Sequence, residues 1–242
     1  MCGIAGCYQQ ADGHKLVDIM SDHIAHRGPD ASGTWGHEDD RVAVQLGHRR
    51  LSIIDLSAAA DQPLSKHGLT LVYNGELYNY RALRAELAAR GARFGTSSDT
   101  EVVLEAWRAW GPEALPRFRG MFAFAIFDER SGELFLARDP LGIKPLYFLP
   151  RHEGVVFASE LKALVAAMGA ELQIEPGALV ASMPGPSRWA RTVTMLESRP
   201  PDRKLDTGTS DTRWAATDSS MTGPRSAGGP AAASAATSAM RQ

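Results

Sequence analysis

Short apolar segments separated by polar ones run through the first 182 residues and predict a mixture of strands and helices. Apolar residues form segments typical of strands at positions 4–8, 42–46, 69–73, 121–127, 133–137 and 155–158. Apolar residues recur at helical spacing over 16–24, after Asn79, after Asp99 and after Ser159. Because strands come first, then helices, then closely spaced strands, the order favours an α+β fold with antiparallel sheets over a parallel βαβ sheet.

The apolar pattern ends near residue 183, which divides the chain into two predicted parts. Residues 1–182 form the predicted domain. Residues 183–242 are rich in Pro, Gly, Ser, Thr, Ala and Arg and lack apolar periodicity. Such a segment buries too little apolar surface to offset its chain entropy, so we predict a disordered tail. A truncated gene or a shifted reading frame would also produce so abrupt a change in composition.

Composition excludes several functional classes. The formal net charge of −2 gives no electrostatic reason to expect a nucleic acid or an anionic membrane as partner. No apolar segment approaches the roughly 18–20 residues that cross a bilayer, and the first residues do not resemble a signal peptide. The only cysteines are Cys2 and Cys7, too few for a disulfide framework, so we predict a reducing, cytoplasmic setting.

The first residues carry the strongest candidate chemistry. Cys2 is small enough for Met1 to be removed, which leaves a residue with both a thiol and a free α-amine. That amine has an ordinary pKa of about 7.7–8.0, so it can accept a proton near neutral pH and act as general base for the thiol. The alternative is that a cysteine at this position is accidental and buried, and one short motif does not decide between the two.

A thiol that attacks an amide needs hydrogen-bond donors for the oxyanion that forms. Asn74 and Gly75 follow the apolar segment 69–73, where a side-chain N–H and a backbone N–H are expected to become accessible. The missing side chain of Gly75 would permit close approach of the substrate. Asn-Gly is also the commonest hairpin dipeptide, so a simple turn is the alternative.

A free amino acid as substrate needs a cation for its carboxylate and an anion for its ammonium. Arg50, at the end of a predicted strand, can offer a bidentate guanidinium to a carboxylate, and Asp99 can face an ammonium. The alternatives are a solvated surface arginine and a helix N-cap, and Asp99 is able to serve as both site residue and cap. The histidines and cysteines near the N-terminus do not form a zinc-binding pattern, so we predict no metal site.

Eight motifs occur in one order along residues 2–180, and together they resemble the glutaminase domain of class II glutamine amidotransferases. Within that class the sequence is most similar to glutamine-hydrolysing asparagine synthetases. The motifs are MCGIAG (1–6), HRGPD (26–30), HRRLSIID (48–55), YNGELYN (73–79), SDTE (98–101), GMFAFA (120–125), RDPLGIKPLY (138–147) and ASELKAL (158–164).

The resemblance implies a four-layer αββα sandwich of the N-terminal-nucleophile hydrolase type, with Cys2 at the end of a central strand. It implies that Cys2 is the nucleophile of glutamine hydrolysis and that Asn74 and Gly75 form the oxyanion hole. It also implies that glutamine is bound by a set of residues from three motifs: Arg50, Leu51, Ser52, Ile53, Ile54, Asn74, Gly75, Glu76 and Asp99.

The resemblance further implies a synthetase domain that uses ATP and Mg²⁺ to activate aspartate and receives the ammonia. The Ser-Gly-Gly-x-Asp phosphate loop of that domain does not occur in this sequence. We therefore expect no cofactor and no asparagine synthesis from this chain alone, and we expect a homodimer or a separate synthetase domain as partner. Two alternatives remain: the domain of another class II amidotransferase, such as one that makes phosphoribosylamine or glucosamine phosphate, or an inactive fragment that at most binds glutamine.

Overall fold

The computed structural model describes residues 1–151 and 154–169 and the backbone of two short strands further along the chain. The helices are α1 (Gly13–His23), α2 (Tyr80–Ala89), α3 (Asp99–Trp110) and α4 (Leu161–Met168). The strands are β1 (Gly3–Tyr8), β2 (Ala31–Glu38), β3 (Ala43–Arg50), β4 (Leu64–Lys66), β5 (Leu69–Leu77), β6 (Gly120–Asp128), β7 (Glu133–Arg138), β8 (Tyr147–Arg151), β9 (Gly154–Ala158), β10 (Thr194–Ser198) and β11 (Ala215–Asp218).

The strands form two antiparallel sheets. The first has the order β2-β3-β1-β9-β8, and the second has the order β11-β10-β7-β6-β5-β4. Every residue of the central strand β1 is buried, because both faces of its sheet are covered. The edge strand β2 instead alternates between half-buried and exposed residues along its whole length.

Three apolar layers hold the fold together. Between the two sheets, Leu46 and Val155 of the first pack with Phe127 of the second. The outer face of the second sheet is covered by α2 and α3, which pack through Leu83 and Trp107, among others. The outer face of the first sheet is covered by α1 and α4 in a third apolar cluster. The helix–sheet–sheet–helix order confirms the expected four-layer αββα sandwich.

Strands β10 and β11 lie in the segment for which the sequence predicts disorder, and there the structure differs from that expectation. Strand β10 pairs with β7 in the register Leu196↔Leu136, and β11 pairs with β10. Backbone hydrogen bonds to an edge strand do not require apolar periodicity in the added strand, so composition gives no signal for this pairing. The remainder of the predicted tail lies outside the described residues. No described helix has both the length and the apolar character needed to cross a membrane.

Candidate active site

A pocket of about 170 Å³ opens where β1, β3 and β5 approach the first turn of α3. It brings together residues from widely separated parts of the sequence, from Cys2 to Lys144. Nine of the ten predicted site residues line it: Cys2, Arg50, Leu51, Ile53, Ile54, Asn74, Gly75, Glu76 and Asp99. Ser52 is not among the lining residues, and its backbone N–H donates to Asp30 Oδ2 at 2.8 Å. Ser52 therefore fixes the pocket loop to the HRGPD motif instead of facing the pocket.

Cys2 lies immediately before β1, with its sulfur in the pocket. Its Sγ accepts a hydrogen bond from the N–H of Leu51 at 3.4 Å, and its carbonyl accepts one from Arg27 Nε at 2.9 Å. Arg27 is held in turn by Glu160 Oε1 at 2.9 Å. Burial raises the pKa of the Cys2 thiol, although the Leu51 N–H, the chain's N-terminal ammonium and Arg50 act in the opposite direction. The thiol is therefore protonated at neutral pH and needs a base before it can attack.

Asn74 and Gly75 lie inside β5, paired with Ala123 and Phe122 of β6. The hairpin-turn alternative is therefore wrong, and the strand extends four residues beyond its predicted end, to Leu77. Asn74 is 1% exposed, and within the described part of the chain its Nδ2 has no hydrogen-bond partner. A buried N–H without an acceptor is costly, which makes this atom a ready donor for a substrate oxygen.

Gly75 is required by its surroundings. A Cβ atom at this position would lie 2.6 Å from the carbonyl oxygen of Met121 and 2.7 Å from the ring of Tyr73. Neither neighbour is the free end of a flexible side chain, so any other residue would force the strands apart. The backbone next to Asn74 therefore stays open to the pocket.

Asp99 is the first residue of α3, and the expectation that it caps this helix is wrong. Ser98 is the N-cap, and its Oγ accepts from the N–H of Thr100 at 3.1 Å. The carboxylate of Asp99 is buried at 4% exposure, and its Oδ2 accepts from the hydroxyl of Tyr73 and from the N–H of Leu77, both at 2.9 Å. Burial raises the pKa of Asp99, while these hydrogen bonds lower it.

Arg50 is 7% exposed, so the alternative of a solvated surface arginine is wrong. Its Nη1 donates to the carbonyl of Ser57 at 2.9 Å and to Asp61 Oδ1 at 2.5 Å. Its Nη2 donates to the carbonyl of Asp55. The guanidinium thus holds the loop 51–61 around itself and also forms part of the pocket wall.

The loop 51–61 is also tied to the loop that precedes α3. Asp55 Oδ1 accepts from the N–H of Ser57 at 2.9 Å, and Asp55 Oδ2 accepts from the N–H of Ser97 at 2.8 Å. These hydrogen bonds lower the pKa of Asp55 well below its ordinary range. The two loops that flank the pocket are therefore joined through one ionised carboxylate.

Lys144 belongs to the RDPLGIKPLY motif, and the sequence does not indicate a role for it in the site. Its side chain is 5% exposed and lines the same pocket as Cys2. The loop that carries it is fixed by Asp139, which accepts from the N–H of Ile143 at 2.9 Å and of Lys144 at 3.0 Å. Burial and the nearby charge of Arg27 lower the pKa of Lys144. Only the three-dimensional return of the loop to the N-terminus reveals this cation.

Tyr73, Gln62 and Thr100 also line the pocket without having been predicted. None of them carries a charge: Tyr73 lies in an apolar strand, Thr100 in the first turn of α3 and Gln62 in the loop before β4, so none stands out in the sequence. Among the residues that the structure describes, no group of three or more His, Cys, Asp or Glu side chains is arranged to hold a metal ion.

Comparison with known proteins agrees with this geometry. A family model described as a glutamine amidotransferase domain matches residues 1–202. The chain therefore belongs to the glutamine amidotransferase domain family, as the sequence motifs predict. The matched range extends beyond residue 182, the predicted end of the domain.

The chain is similar to the N-terminal part of larger enzymes. It is 44% identical over 187 residues to asparagine synthetase [glutamine-hydrolyzing] 1 of Bacillus subtilis, covering 74% of this chain and 29% of that protein. It is 42% identical over 172 residues to asparagine synthetase B [glutamine-hydrolyzing] of Escherichia coli, covering 68% of this chain and 30% of that protein. The chain thus spans less than a third of the length of these relatives.

A solved structure supports the fold independently. Glutamine phosphoribosylpyrophosphate amidotransferase from Bacillus subtilis superposes with a TM-score of 0.66 at 23% identity, covering 91% of this chain and 50% of that chain. At this identity the likeness concerns the fold alone. The fold and the relatives together confirm a glutamine amidotransferase domain of the type found in glutamine-hydrolysing asparagine synthetases.

Proposed function

We propose that this chain hydrolyses glutamine to glutamate and ammonia through a thioester on Cys2. The observation that carries the proposal is the pairing, in one pocket, of the half-buried Cys2 thiol with a buried amide donor, Asn74 Nδ2, that has no partner among the described residues. A nucleophile and an oxyanion donor are the two groups that acyl transfer requires. Arg50 and Asp99 in the same pocket match the carboxylate and the ammonium of an amino acid.

The reaction would proceed in two steps. After Met1 is removed, the α-amine of Cys2 takes the thiol proton and the sulfur attacks the side-chain amide carbon of glutamine. Asn74 Nδ2 and the N–H of Gly75 donate to the oxygen, which becomes negative. The carbon–nitrogen bond then breaks, the amine returns its proton to the nitrogen, and ammonia leaves behind a thioester. Water attacks the thioester through a second oxyanion, which releases glutamate and restores the thiol.

The other pocket residues would bind the substrate. The loop residues Leu51, Ile53 and Ile54 would cover the aliphatic part of glutamine, and Ser52 would hold that loop in place. Glu76, an exposed residue beside Gly75 at the pocket wall, would contribute a second acceptor for the ammonium. None of these steps uses ATP or Mg²⁺, which we assign to a synthetase domain.

We further propose that the ammonia serves an ATP-dependent amidation of aspartate, as the names of the relatives suggest. The synthetase domain, on the same or another polypeptide, and a second copy of the chain are the expected partners. Because an N-terminal thiol is readily oxidised, we expect the protein to work in the reducing cytoplasm.

Residues 1–242 supplied with glutamine, aspartate, Mg²⁺ and ATP should release ammonia without forming asparagine or AMP. Either of the latter products would reveal an ATP site in this chain.

The decisive experiment compares two cysteine variants. Cys2→Ala should abolish ammonia release while glutamine still binds in a calorimetric titration, because Arg50 and Asp99 remain. Cys7→Ala is the matched control, since Cys7 is buried against the α1 and α4 layer, away from the pocket. Ammonia release by Cys2→Ala at the rate of Cys7→Ala would refute the mechanism. A wild-type chain that binds glutamine without hydrolysing it would indicate the inactive fragment instead.

A further inference from the structure

Tyr73 is fixed at three points beside the pocket. Its backbone N–H donates to Gln62 Oε1 at 2.6 Å, and its carbonyl accepts from His48 Nε2 at 3.2 Å. Burial lowers the pKa of His48 to about 4, so this histidine is neutral at physiological pH. The side chain of Tyr73 is 2% exposed. Because both backbone groups of Tyr73 are hydrogen-bonded and its ring is enclosed, its hydroxyl can point in only one direction.

That hydroxyl donates to Asp99 Oδ2 at 2.9 Å, the oxygen that also accepts from the N–H of Leu77. A hydrogen bond to a charged partner is stronger than one between neutral groups, and more so where water is excluded. Both of these donors to Asp99 Oδ2 therefore come from strand β5. Asp99 also belongs to the pocket wall, so these two donors set the orientation of a carboxylate that a substrate in the pocket can reach.

We propose that Tyr73 is a positioning residue for substrate recognition: its hydroxyl holds the Asp99 carboxylate in the orientation that receives the α-ammonium of the amino acid. This inference rests on the proposed glutaminase function and adds to it a pocket-lining residue that acts through Asp99. The ring of Tyr73 also lies against the backbone of Gly75. One side chain therefore connects the ammonium-binding carboxylate with the proposed oxyanion hole.

The protonation state of Asp99 supplies the reason such a residue is needed. Burial raises the pKa of Asp99, and the donors from Leu77 and Tyr73 oppose that rise. Without the hydroxyl the pKa would rise further, and the neutral acid would no longer attract an ammonium. The other ionisable side chains that line the pocket are those of Cys2, Arg50, Asp55, Glu76 and Lys144. The Cys2 thiol interacts electrostatically with Asp99, so the test removes it.

The test measures glutamine affinity against pH in the Cys2→Ala background, which removes turnover. Tyr73→Phe should weaken binding about tenfold at neutral pH. It should also move the acidic midpoint of binding to higher pH, because binding is lost as pH falls through the pKa of Asp99. Tyr80→Phe is the matched control, since Tyr80 packs against the same apolar cluster while its hydroxyl contacts Arg81 at 3.2 Å.

Several outcomes separate the possibilities. If Tyr73→Phe weakens glutamine binding by the same factor at every pH and leaves the acidic midpoint of binding unmoved, Tyr73 acts only through packing and the proposal is overturned. Failure of the Cys2→Ala parent to bind glutamine would overturn the proposed function as well. In the Cys2-containing enzyme, Tyr73→Phe should raise KM and leave kcat nearly unchanged. If Tyr73→Phe does not fold, the wild-type hydroxyl proton of Tyr73 must respond by NMR to the titration of Asp99; an unresponsive signal would overturn the proposal.

Discussion

The two asparagines of the chain allow one prediction to be developed fully, because the structure gives them opposite circumstances. Asn74 is buried and its Nδ2 has no partner among the described residues. Asn79 instead donates to the carbonyl of Arg117 at 2.9 Å and accepts from the N–H of Arg119 at 3.0 Å. Asn74→Ala should therefore damage catalysis, and Asn79→Ala should damage stability.

The magnitudes follow from these contacts. Loss of one oxyanion donor lowers kcat by about 10²- to 10³-fold, which is what Asn74→Ala should show. Its free energy of unfolding should change little, because removing an unpaired buried N–H, worth about 1–3 kcal/mol, offsets the small cavity left behind. Asn79→Ala breaks two hydrogen bonds and should lower the free energy of unfolding by about 1–2 kcal/mol, with kcat unchanged.

The assay is ammonia release at saturating glutamine, paired with urea unfolding of each variant. KM should rise little in Asn74→Ala, since the donor acts mainly on the charge that develops in the transition state. A kcat for Asn74→Ala within threefold of wild type would refute the assignment of the oxyanion hole. Equal loss of kcat in both variants would show that folding, not the donor, limits the rate.

Three further predictions concern the N-terminus, the carboxylate site and stability. Protein that retains Met1, identified by mass spectrometry, should be inactive because the base would lie one residue away from Cys2. Arg50→Lys should raise KM about tenfold or more, because it loses the planar fork and the loop contacts that fork makes; an unchanged KM would refute its role. Glu105 is fully buried against Lys66 Nζ at 2.6 Å. Burial opposes this pairing, but the pairing wins and lowers the pKa of Glu105. The stabilisation from the ion pair is therefore complete above pH 4.5, the ordinary pKa of Glu, and is lost on acidification. Glu105→Gln should lower the free energy of unfolding by on the order of 3 kcal/mol at neutral pH and flatten its dependence on acidic pH, and unfolding curves identical to wild type would contradict this.

The sequence predicts the layered fold well because the central strands bury both faces. In β1 and β9 every residue is buried, so continuous apolar segments identify them. The edge strands β2 and β8 were not predicted. Their residues are half-buried or exposed, and pairing with a neighbour, rather than apolar content, makes them strands. Edge pairing is a tertiary property that no local pattern records.

The candidate pocket shows the same division. Motif residues with a charge or an unusual side chain, such as Arg50 and Asn74, could be selected from the sequence and do meet in one pocket. Residues that belong to the site only because the fold brings them there could not be selected from the sequence. Tyr73 reads as one more apolar strand position, and Lys144 as part of a turn. The N-cap expectation for Asp99 was wrong because the adjacent Ser98 is an equally good cap, and only the structure shows which of them faces the helix.

The environment of Cys2 gives a physical reason for the proposed nucleophile to use its own α-amine as base. Burial strengthens the donors that would face the oxyanion, but the same burial raises the pKa of the Cys2 thiol. An enclosed site thus gains transition-state stabilisation and loses the spontaneous thiolate. An α-amine has an ordinary pKa near neutral pH, and on an N-terminal cysteine it is always within the same residue as the thiol. No other side chain has to be brought in as base. A partly buried sulfur with a raised pKa therefore suits a nucleophile whose proposed base belongs to the same residue.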